Sequence, residues 1–214
     1  MPLVIQGATS GQATVQATDA ATVTITLPAT SGTLVTTAGG GSPTFTSITT
    51  TSDSTINGLT VGVGGGASNT NTVVGAASAL AANTSGSYNN AFGRGALQQN
   101  TTGTYNSAFG WTTLLNNTTG SYNTAVGNAA LVANTTSGYN TAIGYQALYS
   151  NTTGQYNAAL GYYAGRANTT GSVTAIGSYT LSLNTTGVQN VAVGGNDGNG
   201  LDAALYSNTT GIRN

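Results

Sequence analysis

The ionised side chains of this 214-residue chain number only seven: Asp19, Asp53, Asp197, Asp202, Arg94, Arg166 and Arg213. Glu, Lys, His and Cys do not occur. The usual general bases and activated nucleophiles are therefore missing. Hydrolysis of a polysaccharide takes a pair of carboxylates, and only Asp197 and Asp202 lie near each other in sequence. The chain is read as non-enzymatic and without a cofactor. Around those two residues, Gly194-Gly-Asn-Asp-Gly-Asn-Gly-Leu-Asp202 offers Asp197, Asn199 and Asp202 as candidate oxygen ligands for calcium. It lacks the Glu at position 12 of an EF-hand loop, and the same residues are good turn chemistry. It reads as an exposed loop rather than a metal site.

What positions these side chains is a repeat. The tetrad Asn-Thr-Thr-Gly, or a close variant, starts at Asn83, Asn100, Asn117, Asn134, Asn151 and Asn168, each 17 residues after the last. A one-residue deletion then brings Asn184, and a seven-residue insertion brings Asn208. Tyr88, Tyr105, Tyr122, Tyr139 and Tyr156 ride in register. From its first Asn the plan is Asn-Thr-Thr-Gly-x-Tyr-Asn-x-Ala-Φ-Gly-x-x-Ala-Leu, where Φ is apolar. Fixed self-similarity of this length marks an array of stacked coils rather than a globular enzyme fold.

Within a repeat, alternation puts Tyr, the variable residue and Φ on one side of a strand and Asn and Ala on the other. Gly110, Gly127 and Gly144 follow where the chain turns. Ala-Leu is expected to form a second short strand, and Asn-Thr-Thr-Gly the second corner. Two strands and two corners make one coil of a parallel β-roll or β-solenoid. Each coil advances about 4.8 Å, so eight coils make a rod of about 40 Å. The recurrent alanines, Ala108, Ala125 and Ala142 among them, are expected to form a shallow apolar face. Trimerisation about a central axis would bury it; simple filling of the coil is the alternative.

Three other features of the repeat read structurally. Asn and Thr stacked at one corner form hydrogen-bond ladders, so the Asn-Thr-Thr glycosylation sequons are incidental. The tyrosines pack ring on ring with hydroxyls toward solvent, rather than forming a strip for sugars. Trp111 replaces a small residue just after a Gly corner and is the candidate for a surface contact.

Ahead of the array, residues 1–37 form a β-rich leader, with alternating Val23, Ile25 and Leu27 closed by Pro28. Residues 38–71 are a Gly-rich joint and lead-in strands, Phe45–Ile48 and Leu59–Val63; the repeats occupy 72–214. A net charge of −1 argues against nucleic acid or an anionic membrane as partner. Met1-Pro2-Leu3 lacks the marks of a signal peptide, and no apolar run approaches the roughly 20 residues that span a bilayer. A soluble chain is expected, continuing beyond Asn214 because a solenoid end needs a cap.

Tyr-Asn-Thr-Ala-Ile-Gly (139–144), Tyr-Asn-Thr-Ala-Val-Gly (122–127) and Val-Gln-Asn-Val-Ala-Val-Gly (188–194) resemble the head repeats of trimeric autotransporter adhesins. The full repeat, with the lead-in Ser54-Thr-Ile-Asn-Gly-Leu-Thr-Val61 and the leader from Thr22 to Val35, is more similar to tail fibres of tailed bacteriophages, notably those of cyanobacteria. That resemblance implies a homotrimeric, extracellular, virion-borne shaft. Its leader would join a tail or baseplate protein, and its distal part would present a receptor-binding tip to the host. A bacterial surface adhesin fragment and an ice-binding solenoid with Thr pairs on one flat face are the alternatives.

Overall fold

The computed structural model describes residues 54–56, 59–65, 70–76, 78–196 and 203–214. The expected leader 1–37, the joint with its strand Phe45–Ile48, and the loop carrying Asp197, Asn199 and Asp202 lie outside them. The described residues all belong to the unit Thr49–Asn214. They are all-β and contain no helix.

One ten-stranded sheet runs through the unit in chain order. β1 (Ser54–Ile56) and β2 (Leu59–Gly62) pair antiparallel, and β2 pairs antiparallel with β3 (Thr72–Gly75). From β3 onward every neighbour is parallel: β4 (Asn90–Phe92), β5 (Ser107–Phe109), β6 (Thr124–Val126), β7 (Thr141–Ile143), β8 (Ala158–Leu160), β9 (Val173–Ile176) and β10 (Asn190–Val193). Each parallel step is one circuit of the chain, so the array is a β-solenoid. The register keeps like on like: Ala108 pairs with Ala125, which pairs with Ala142. The sheet's first edge is the three-residue β1, and a very short edge strand is one of the ways natural sheets blunt an open edge.

Each coil holds one strand, not the expected two. The Gly-x-x-Ala-Leu segment is a bent arc in which left-handed residues recur: Gly127 (φ 123°), Ala129 (φ 55°) and Leu131 (φ 50°) in one coil. Such a conformation costs about 1–2 kcal/mol for a non-glycine residue. It aims backbone N–H groups along the solenoid axis. Ala129 N donates to Trp111 O in the previous coil (2.9 Å), and Leu131 N donates to Ala147 O in the next (3.0 Å). The bend thus keeps its inter-coil hydrogen bonds where a β ladder would have to stop. At Gly127 an added Cβ would sit 2.5 Å from Gly144 O, so both the φ and the close stacking exclude a side chain.

The interior corrects the expectation for alanine. Ala91, Ala108, Ala125 and Ala142 are fully buried inside their own chain. They face Leu97, Leu114, Leu131 and Leu148 of the arc in one continuous core. The alanine face is therefore filled by the coil itself and is not left for a second chain. A coil this thin has room for one large side chain, supplied by the arc, and a methyl group, supplied by the strand. Full burial of each Leu contributes on the order of 1.5–3 kcal/mol. What the strands turn outward is the variable residue and Φ: Phe109, Val126, Ile143, Leu160, Ile176 and Val193 are all exposed.

Candidate functional site

The Asn-Thr-Thr-Gly corner builds the first asparagine column. Asn100, Asn117 and Asn134 are fully buried. Asn117 Nδ2 donates to Asn100 Oδ1 (2.9 Å) and to Gly120 O (2.9 Å), while its Oδ1 accepts from Asn134 Nδ2 (2.8 Å). The same links join Asn83 to Asn100, Asn134 to Asn151, and Asn168 to Asn184. Beside it the backbone makes a nest. Thr101 N, Thr102 N and Gly103 N converge on Thr118 O at 2.8, 3.2 and 3.3 Å, joined by the Thr101 hydroxyl at 3.0 Å. The hydroxyls of Thr84, Thr118, Thr152, Thr169 and Thr185 likewise donate to the carbonyl of the corner in the following coil.

A second asparagine column runs through Asn71, Asn89, Asn106, Asn123, Asn140 and Asn157, all buried. Here Oδ1 receives the backbone N–H one coil on, as Asn106 Oδ1 does from Asn123 N (3.0 Å), and Nδ2 reaches the corner carbonyl of the following coil. The sequence reading gave this asparagine a direction but not a ladder. In the 16-residue coil that begins at Asn168, Val173 takes the asparagine register, and the two columns cross-link: Asn168 Nδ2 donates to Asn157 Oδ1 (3.3 Å). Among the described residues no buried side-chain polar atom lacks a partner.

The tyrosine column lies outside. Tyr88, Tyr105, Tyr122, Tyr139 and Tyr156 stack with centroids 4.8–5.2 Å apart and planes within 13°. All five are left-handed, with φ between 56° and 61°. Within the column the ring faces cover one another and only edges meet solvent. The column ends at Tyr156, whose 68% exposure stands above the 48–52% of the other four.

Trp111 is exposed and lines a depression of about 260 Å³ with Ser78, Arg94, Gly95, Gln98, Thr112 and Leu115. It sits one coil from Arg94 and two coils from Tyr145, where the tyrosine-rich arc described next begins. A planar aromatic, a guanidinium and an amide meet here.

A second surface cluster was missed by the sequence reading. The six tyrosines outside the column, Tyr145, Tyr149, Tyr162, Tyr163, Tyr179 and Tyr206, all lie on the arcs of successive coils. Tyr145 and Tyr162 stack at 5.2 Å, whereas Tyr162–Tyr163 and Tyr163–Tyr179 are inclined by 49° and 73°. The Arg166 guanidinium lies 5.0 Å from the Tyr163 ring centroid and 5.4 Å from that of Tyr149. Arg166 Nε donates to Gln146 Oε1 at 3.0 Å. The Tyr162 hydroxyl is pushed up to about 12, first by its hydrogen bond with Tyr163 and then by desolvation. The signal was present in sequence: Tyr145 and Tyr162 occupy one position of the repeat, and Tyr163 and Tyr179 the next.

Among the described residues no group of His, Cys, Asp or Glu could hold a metal ion, and no helix is long and apolar enough to cross a membrane. Comparison with known proteins leaves the assignment to the geometry: no family model, no curated protein and no solved structure matches the chain.

Proposed function

We propose that the chain is a structural subunit of a bacteriophage tail fibre, forming a homotrimeric shaft that carries a host-binding tip away from the virion. The observation that supports this reading is the outer face of the sheet. From β3 to β10 the outward positions carry no charge, and the apolar ones, from Phe109 to Val193, are exposed. A flat, uncharged strip along a rod is a surface suited to another copy of the same rod. Three copies in register would bury three such strips together, with the self-satisfied asparagine columns keeping each coil rigid. The leader 1–37 is assigned to a tail or baseplate protein and the distal part to the host receptor. Three identical tips would raise weak binding by effective concentration.

The native mass tests it. Light scattering on the full chain is expected to give three times 21.0 kDa, about 63 kDa. Val126→Glu with Ile143→Glu, both outward on neighbouring strands, is expected to return the monomer with its circular dichroism unchanged. A wild-type monomer of 21.0 kDa would overturn the proposal.

A further inference from the structure

The arc cluster is unlike the rest of the surface. In the tyrosine column every inner ring face is covered by the next ring. On the arcs Tyr145 and Tyr162 are exposed and stack on each other, but the far side of Tyr162 meets Tyr163 and Tyr179 only at inclinations of 49° and 59°, so no parallel ring sheathes it there. An aromatic face open to solvent is apolar yet edged by a hydroxyl, and it suits a partner that is apolar on one side and hydroxylated around its rim.

Arg166 adds the selective element. Two rings and the Gln146 amide hold its side chain, so much of its rotamer freedom is already lost. The described residues contain no carboxylate side chain: their charged groups are Arg94, Arg166 and Arg213, all cations. A restrained guanidinium with no carboxylate side chain beside it among the described residues is prepared for a planar anion, which it can grip with two parallel hydrogen bonds. One cation is too few to hold a nucleic-acid backbone, whose affinity comes from many phosphate contacts.

We propose that Tyr145, Tyr149, Tyr162, Tyr163, Tyr179 and Arg166 form a binding site on the shaft for an acidic saccharide. The sugar carboxylate pairs with Arg166, the pyranose C–H face rests on an open tyrosine ring, and the phenols and Gln146 exchange hydrogen bonds with the ring hydroxyls. The residues of the site all come from one chain.

The test is a printed panel of glycans probed with the full chain, comparing saccharides that carry uronic or sialic acids with neutral saccharides of the same linkage. Wild type is expected to favour the acidic members by about tenfold or more, the range of a charge-assisted pair. Arg166→Gln is expected to erase that preference while leaving residual binding, and Tyr162→Ala to weaken acidic and neutral members together. Arg213→Gln, remote in sequence and paired with Gln189, should change nothing. Unchanged circular dichroism keeps misfolding out of the comparison. Absence of binding across the panel, or an acidic preference that survives Arg166→Gln, would overturn the proposal.

Discussion

Asn117→Ala is the substitution whose outcome follows most directly from the geometry. The side chain is fully buried and makes three hydrogen bonds, two donated and one accepted. Its removal orphans Asn100 Oδ1 and one N–H of Asn134 Nδ2, both inside the rod. Gly120 O keeps a partner in Asn106 Nδ2 (2.8 Å). Two orphaned buried groups at about 1–3 kcal/mol each give a loss of roughly 2–6 kcal/mol. The control is the adjacent, exposed Asn116, whose replacement by Ala is expected to stay within about 0.5 kcal/mol. Urea unfolding followed by circular dichroism measures both. Hydrogen exchange shows whether the loss is concentrated in the coils on either side, as nearest-neighbour coupling requires. If Asn117→Ala proves as mild as Asn116→Ala, the ladder is ornament and the account of the corner is wrong.

Two further outcomes are expected. Tyr122→Ala loses two stacking partners at about 0.5–1.5 kcal/mol each, and leaves Ala in a left-handed conformation (φ 61°). Tyr122→Gly loses the same contacts but is free of that backbone cost, so its urea midpoint should correspond to about 1 kcal/mol more stability than the Ala variant; the reverse order would refute the conformational reading. For Tyr162 the folded-state pKa is raised from 10.0 to about 12, led by the hydrogen bond with Tyr163. The stabilisation linked to its proton is therefore complete below pH 10.0 and is lost as pH rises toward about 12. In Tyr162→Phe the phenolate absorbance titration should lose amplitude near pH 12, and the stability loss over that window should shrink; an unchanged titration would sink the assignment.

The solenoid was legible because a period of 17 residues admits no other economy: a unit too small to bury its own apolar face must stack. Strand alternation was equally legible, with Asn123 and Ala125 on one side and Tyr122, Thr124 and Val126 on the other. Which side is inside was not deducible from hydropathy. Val126 and Ile143 are more apolar than Ala125 and Ala142, yet the alanines are buried, because Leu131 and Leu148 already fill the narrow interior. The arc was illegible for a different reason. Intrinsic preferences disfavour left-handed Leu131 or Tyr122, and only hydrogen bonds to adjacent coils make that conformation worthwhile. Those partners lie a full circuit away in sequence. The arc tyrosines escaped notice because they occupy positions where the repeat has no consensus, so comparison between coils filters them out.

The sameness of the coils has a consequence for how the chain reaches its structure. Asn117 bonds to Asn100 as Asn134 bonds to Asn117, and corner, strand and arc all match again after a shift of 17 residues. A growing stack could therefore accept the wrong coil, looping out one repeat, and lose little locally. Closing so short a loop is entropically mild. What distinguishes the right stacking from the slipped one are the irregular coils. The β1–β2 hairpin offers its antiparallel partner only to β3. Ser137 stands where other coils carry Gly, and its hydroxyl donates to Asn134 Oδ1. Val173, in its shortened coil, interrupts the second asparagine column. These departures are the index marks on an otherwise unmarked ruler: erasing them by consensus would leave the native contacts intact and multiply the misaligned states that compete with them.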